Sequence, residues 1–174
     1  MGLEKIIDFI LQFLTDFLPF YVCKAWQKGV VLRFGKVHRI QDPGIHFKIP
    51  FVDDIINQIV VTTTIETPVQ SLVTKDGQEV TTKSVIKYSI SDCILYTTEI
   101  YDATDAISDF TQGHIMDQVN NHDYAECRDT GALSNVISKK VRAEVRKYGI
   151  HIEQITVTNF IKTHNFRLFN DTET

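Results

Sequence analysis

The chain has 174 residues, 43% hydrophobic and 23% charged, which fits one domain with a packed core and excludes a wholly disordered chain. Eighteen Lys and Arg against 22 Asp and Glu leave a net charge of −4, the wrong sign for a protein whose main work is gripping nucleic acid. Cys23, Cys93 and Cys127 are too few and too scattered for a disulfide framework, so reduced thiols are the default.

The chain opens on an apolar run. On a helical wheel, Glu4, Lys5, Asp8, Gln12, Thr15 and Asp16 fall within an arc of about 120°. Leu3, Ile6, Ile7, Phe9, Ile10, Leu11, Phe13, Leu14, Phe17 and Leu18 fill the remaining arc, about 200° wide. Pro19 ends or kinks this predicted helix. A cleaved signal peptide fits poorly, because Glu4 and Asp8 sit where positive charge belongs and no small-residue cleavage site follows. A spanning helix would carry Asp8 and Gln12 at depth, and a central Asp costs about 2.5–3.5 kcal/mol. A helix docked on the protein's own core would not need so broad an apolar face. The favoured reading is a helix lying in the membrane interface or dipping in as a shallow wedge, with its polar stripe wet. Lys24, Lys28, Arg33 and Lys36 follow closely. Positive-inside bias then places the body of the protein on the cytoplasmic face. Lys24, Lys28 and Arg33 are assigned to the lipid head-group side, where cations suit anionic lipids. Tyr21 and Trp26 read either as interface residues or as core.

Beyond this segment the pattern becomes β-rich. Residues 30–34 read as a short strand, punctuated by Gly35 and by Pro43-Gly44. Residues 45–49 alternate and stop at Pro50. Residues 55–65 form one long β-branched run, hence one strand, and residues 69–73 another. Asp76-Gly77 between that strand and residues 79–90 is a hairpin signal. In residues 79–90, Val80, Thr82, Ser84, Ile86, Tyr88 and Ile90 share one face, which predicts a buried side and a wet side. Residues 102–118 then take a helical pattern through Ala103, Ala106, Ile107 and Phe110. Residues 130–148 follow with Leu133, Val136, Ile137, Val141, Val145 and Tyr148 on one face and Gly149 as the stop. Ile150, Ile152, Ile155 and Val157 make a last strand with an irregularity at Glu153-Gln154. A β-rich half, two helices and a strand make an α+β domain.

Signals for chemistry are weak. Residues 29–36 look superficially like a phosphate loop, but the spacing is wrong and no Ser or Thr follows Lys36. His114, His122 and Cys127 match no zinc pattern. No nucleophile elbow or Cys–His signature is present. The sequence therefore predicts no catalytic residues, no metal, no cofactor and no nucleotide or nucleic-acid partner, and the protein does not read as an enzyme. Charge patterning says more. Residues 92–127 hold eight Asp and Glu and no Lys or Arg, whereas residues 128–148 hold six Lys and Arg against two acids. Two readings stay open: these faces are solvated or neutralise each other within one subunit, or Asp102, Asp105 and Asp109 of one copy meet Lys139, Arg142 and Arg146 of the next. The second reading is a head-to-tail contact that makes a ring if the rotation closes.

The segment Gln27-Lys28-Gly29-Val30-Val31-Leu32-Arg33-Phe34-Gly35-Lys36, followed by Asp42-Pro43-Gly44-Ile45-His46-Phe47-Lys48-Ile49-Pro50-Phe51-Val52-Asp53, resembles the opening of the SPFH domain of the stomatin/prohibitin/flotillin superfamily, also called band 7. Thr74-Lys75-Asp76-Gly77-Gln78-Glu79-Val80 resembles its central hairpin. Arg146-Lys147-Tyr148-Gly149-Ile150 leading into Ile155-Thr156-Val157 resembles its last helix–strand corner. The resemblance implies a curved antiparallel β-rich half, two amphipathic helices and a final strand behind an N-terminal membrane helix. It also implies a non-enzymatic, membrane-attached protein that assembles into rings or cages and regulates enclosed proteases, channels or other membrane proteins. The expected layout is an anchoring segment at residues 1–25, the SPFH domain at 26–168 and a polar tail at 169–174. The sequence departs from the family pattern after the last strand, where no long Ala/Glu/Arg-rich helix or heptad run is found. The expectation is therefore a minimal member that forms a simpler ring, joins the assembly of a longer relative or competes with it. The partners expected are the bilayer, further copies of the chain and a membrane-protein client. The alternative expectation is a small monomeric modulator of a membrane protein or of a longer SPFH complex.

Overall fold

The computed structural model describes residues 4, 5, 7, 8 and 19–163. It divides into two compact units. The first comprises the chain up to Thr63 with Ser89–Tyr101 and Lys147–Ile150, and the second comprises Thr64–Tyr88, Asp102–Arg146 and the chain from His151.

The first unit carries strands β1 (Phe20–Cys23), β2 (Gln27–Arg33), β3 (Lys36–Gln41), β4 (Gly44–Phe47) and β5 (Asp53–Ile59), with helix α1 (Cys93–Thr98). β1 and β4 pair as an antiparallel ribbon. β2 lies between β3 and β5, antiparallel to both. Gly29, Val30 and Val31 are buried in succession. Since neighbouring strand residues point to opposite faces, both sides of β2 are covered. Helix α1 starts on Asp92, whose carboxylate accepts from the Ile94 and Leu95 amides at 2.8 and 3.2 Å, a side-chain N-cap. The carbonyl of Gly149 accepts from the Ser91 amide at 2.8 Å and the Ser91 hydroxyl at 2.9 Å. Gly149 has φ of +71°, and a Cβ there would meet the Asp92 carbonyl oxygen at 2.3 Å. The glycine read as a helix stop is thus fixed twice, by its left-handed backbone and by close approach.

The second unit holds β6 (Thr63–Glu66), β7 (Gln70–Val73), β8 (Glu79–Ile90) and β9 (Ile150–Lys162). Its helices are α2 (Ala103–Asn121), α3 (Tyr124–Cys127) and α4 (Thr130–Val145), followed by a 3-10 turn at Arg146–Tyr148. β8 is the central strand, pairing with β6, β7 and β9. Its alternation is as expected: Val80, Thr82, Ser84, Ile86 and Tyr88 are buried. The buried hydroxyls are satisfied, since the Thr67 side chain accepts from the Ser84 amide at 2.9 Å and bonds the Ser84 hydroxyl at 3.0 Å. Ile107, Thr111, Ile115 and Val119 of α2, and Leu133, Ile137, Val141 and Val145 of α4, are buried at four-residue spacing. The two helices pack together and are bridged by Lys140–Asp117 and His114–Glu144, each at 2.9 Å.

The structure differs from the sequence expectation in particular places. The β-branched run at 55–65 is two strands, β5 and β6, separated at Val60–Thr62. β-propensity reports fit to a pleated surface and says nothing about where the chain leaves one unit for the other. Strands β1 and β3 and helices α1 and α3 are additions. The expected helix at 130–148 tightens into its 3-10 turn after Val145, and Val136, expected in the core, is exposed. Both Glu153 and Gln154 are exposed within β9, which is where the irregularity was expected.

Candidate functional site

The ribbon of β1 and β4 has two chemically distinct faces. Its register pairs Phe20 with Phe47, Tyr21 with His46 and Val22 with Ile45. Tyr21 and Cys23 face inward: Cys23 is buried, and a Cβ on Gly29 would meet the Tyr21 hydroxyl oxygen at 2.9 Å. Burial pushes up both the Tyr21 phenol and the Cys23 thiol. Phe20, Val22, Ile45 and Phe47 point the other way, and all four are exposed. The Phe20 and Phe47 rings meet edge to face at 5.8 Å, so the exposed ladder is ordered by its own aromatic contact.

This apolar face continues along the chain. Exposed Ile49 follows Phe47, and a turn then presents Phe51, which is 85% exposed. The Phe34 amide donates to the Val52 carbonyl at 3.2 Å, bringing in a second tip, with Phe34 80% exposed. Phe34 (φ 51°) and Phe51 (φ 65°) both adopt left-handed backbone. That conformation costs a non-glycine residue about 1–2 kcal/mol, and leaving a phenyl in water forgoes about 1.5–3 kcal/mol of burial. Both tips thus combine an unfavourable backbone conformation with a largely exposed ring. The tips are clamped by the pair Arg33–Asp53 at the end of β2 and β5, with N–O distances of 2.8 and 3.1 Å. The Asp53 side chain is fully enclosed. Its bonds from Arg33 and from the Ile49 amide pull its pKa down to about 2.

The residues expected to act in function are placed as follows. Of the ten anchor residues, Leu3, Ile6, Phe9, Ile10, Leu11, Phe13, Leu14, Phe17 and Leu18 lie outside the described residues. Ile7 is helical and 49% exposed. Among the described residues no helix is long and apolar enough to cross a membrane. Lys24 sits over the Trp26 ring at 5.6 Å. Lys28 pairs with Asp42 at 3.2 Å and Arg33 with Asp53, so two of the three head-group cations already have carboxylates. Asp102 caps α2 from a left-handed backbone. Asp105 and Asp109 line an open groove with Ile65, Glu66 and Pro68. Lys139 and Arg146 are exposed. Arg142 instead donates to the carbonyls of Ile152 and Glu153 at 2.9 and 3.0 Å. The residues set aside as metal ligands have other partners: His114 bonds Glu144, His122 bonds the Gln118 carbonyl, and Cys127 is buried.

Sequence reasoning missed the strip Phe20, Val22, Ile45, Phe47, Ile49, Phe34 and Phe51. The alternation Phe20-Val22 after Pro19 was a usable signal. The pairing of β1 with β4 was not, because it joins segments about 25 residues apart.

The SPFH domain / Band 7 family profile matches residues 21–167 of this chain. The chain belongs to the SPFH domain / Band 7 family. Among its relatives is the modulator of FtsH protease HflC of Escherichia coli, 32% identical over 94 residues, covering 50% of this chain and 28% of that protein. Protein HflK of Haemophilus influenzae is 26% identical over 141 residues, covering 79% and 34%. A stomatin homolog of Pyrococcus horikoshii is 24% identical over 155 residues, covering 87% and 57%. The chain thus spans between 28% and 57% of the length of these SPFH relatives.

Proposed function

We propose that this protein is a membrane-associated SPFH scaffold that oligomerises on a bilayer and regulates a membrane protein held beside it. The observation that carries the reading is the exposed apolar strip of the first unit, which begins one residue after Pro19 at the end of the amphipathic segment. The strip follows the amphipathic segment directly in sequence, and exposed apolar surface of this kind suits a bilayer interface. The side occupied is the cytoplasmic one, by the excess of cations after the segment. The client class is suggested by relatives named as modulators of the FtsH protease. Asp105 and Asp109 on one surface, and Lys139 and Arg146 on another, are the groups offered to neighbouring copies.

Flotation of the full chain with phospholipid vesicles tests the membrane half. Wild type is expected to float. Phe9→Asp with Phe13→Asp is expected to abolish flotation. Phe34→Asn with Phe51→Asn is expected to weaken it by more than tenfold, at about 2 kcal/mol per phenyl, with an unchanged or raised melting temperature because Asn tolerates left-handed backbone. A wild-type chain that stays with the unbound fraction overturns the reading.

A second reading is a monomeric modulator. It is favoured by groups already engaged within one subunit, Asp117 paired with Lys140 and the Arg142 guanidinium bound to carbonyls of β9. Mass in detergent separates the two: many subunits for the scaffold, a single chain of 19.9 kDa for the modulator.

A further inference from the structure

Residues 19–63 contain six Lys and Arg (Lys24, Lys28, Arg33, Lys36, Arg39 and Lys48) against three Asp (Asp42, Asp53 and Asp54), in a chain whose net charge is −4. Two of those acids are taken, Asp42 by Lys28 and Asp53 by Arg33. Arg39 donates to the Phe47 carbonyl at 3.0 Å. Lys24, Lys36 and Lys48 have no carboxylate partner among the described residues.

Their positions follow the apolar strip. Lys24 comes directly after Cys23, at the Cys23–Gly44 end of the β1–β4 ribbon. Beside it the half-exposed Trp26 ring lies under the ammonium. Lys48 comes directly after Phe47, where its amide donates to the Pro19 carbonyl at 2.7 Å, between the ribbon and the Phe51 tip. Lys36 follows the Phe34-Gly35 turn at the other tip and is exposed. An apolar strip with lysines adjoining it in sequence at both ends and in the middle, each lacking a counter-charge among the described residues, has the composition of an interfacial surface that prefers negative head groups.

We infer that this surface selects anionic phospholipid bilayers through Lys24, Lys36 and Lys48, while Lys28 and Arg33 serve the fold. The inference rests on the membrane reading above and adds the lipid class to it. Each lysine near an anionic surface is worth about fivefold in affinity, so the three together give roughly a hundredfold. The preference fades as salt rises, because the charges act within a Debye length of the surface.

The experiment measures binding of the full chain to phosphatidylcholine vesicles with and without phosphatidylserine. Wild type is expected to bind the anionic vesicles roughly a hundredfold tighter. The triple variant Lys24→Gln, Lys36→Gln, Lys48→Gln is expected to keep its phosphatidylcholine binding and lose most of the preference. Lys28→Gln is expected to retain the preference. Should the triple variant fold poorly by circular dichroism, the three single variants carry the test, each expected to cost about fivefold on anionic vesicles only. Equal wild-type binding to the two vesicle types, or a triple variant that keeps the preference, overturns the inference and leaves the membrane reading standing. Failure of wild type to bind either vesicle overturns both.

Discussion

Asp53 shows how a single side chain can set the geometry of a site without being part of its contact surface. Its carboxylate is enclosed, receives the Arg33 guanidinium and the Ile49 amide, and so fixes the end of β5 against the end of β2, where the two exposed phenylalanine tips emerge. The carboxyl titrates near 2 in the folded protein and near 4 in the unfolded chain. A lowered folded-state pKa stabilises above the unfolded value and loses that stabilisation as pH falls towards the folded value. The melting temperature of Asp53→Asn is therefore expected to lie below that of wild type from neutral pH down to about pH 5. The gap is expected to close between about pH 4 and pH 2, as read by thermal melts across that range. A gap that is independent of pH would assign the effect to packing instead. Arg33 was visible in the sequence as a cation, but its role was not. Head-group binding and fold clamping need the same residue type, and only the enclosed partner 20 residues away distinguishes them.

At the scale of elements, α4 does more than cover the sheet. Ser134, Ser138 and Arg142 recur every four residues and so form one stripe. The Ser138 and Ser134 hydroxyls accept from the Ile155 and Val157 amides at 3.1 and 3.0 Å, and Arg142 serves two carbonyls of the same strand. The helix thereby supplies hydrogen-bond partners to the backbone of β9 and ties the strand to itself. Ser138→Ala leaves a buried amide unpaired and is expected to cost about 1–3 kcal/mol. That is roughly 2–10 °C of melting temperature for a chain of this size. Ser138→Thr, which keeps an acceptor, is expected to recover part of the loss. In the sequence this stripe was hidden beside the stronger apolar one of Leu133, Ile137, Val141 and Val145. A serine in a helix carries no sign of the strand it will face.

For the whole molecule, the question is how far the charge asymmetry is used between copies. Of the six residues expected at a junction, Asp102 caps α2 and Arg142 serves β9, which leaves Asp105, Asp109, Lys139 and Arg146 as the testable set. Lys139→Glu with Arg146→Glu is expected to dissociate the assembly in detergent, and so is Asp105→Lys with Asp109→Lys. Mixing the two variants restores the complementary charges at both junctions of a head-to-tail contact and is expected to restore particle mass in sedimentation. Particle size unchanged in both separate variants would remove this charge contact as the junction between copies.

Local pattern by itself determined the one-sided burial of β8, the Asp76-Gly77 hairpin, the apolar stripe of α4 and the family. Each is written in residues that are neighbours in sequence, at periods of two or about four. Tertiary structure alone decided which exposed apolar residues join into one strip and which cations lack a counter-charge. It also decided where the β-branched run breaks and that Arg142 of α4 binds the carbonyls of β9. Those outcomes depend on pairings between distant segments, such as β1 with β4, Arg33 with Asp53 and α4 with β9. Pairing of that kind follows from burial and register across the fold, which no window of adjacent residues contains.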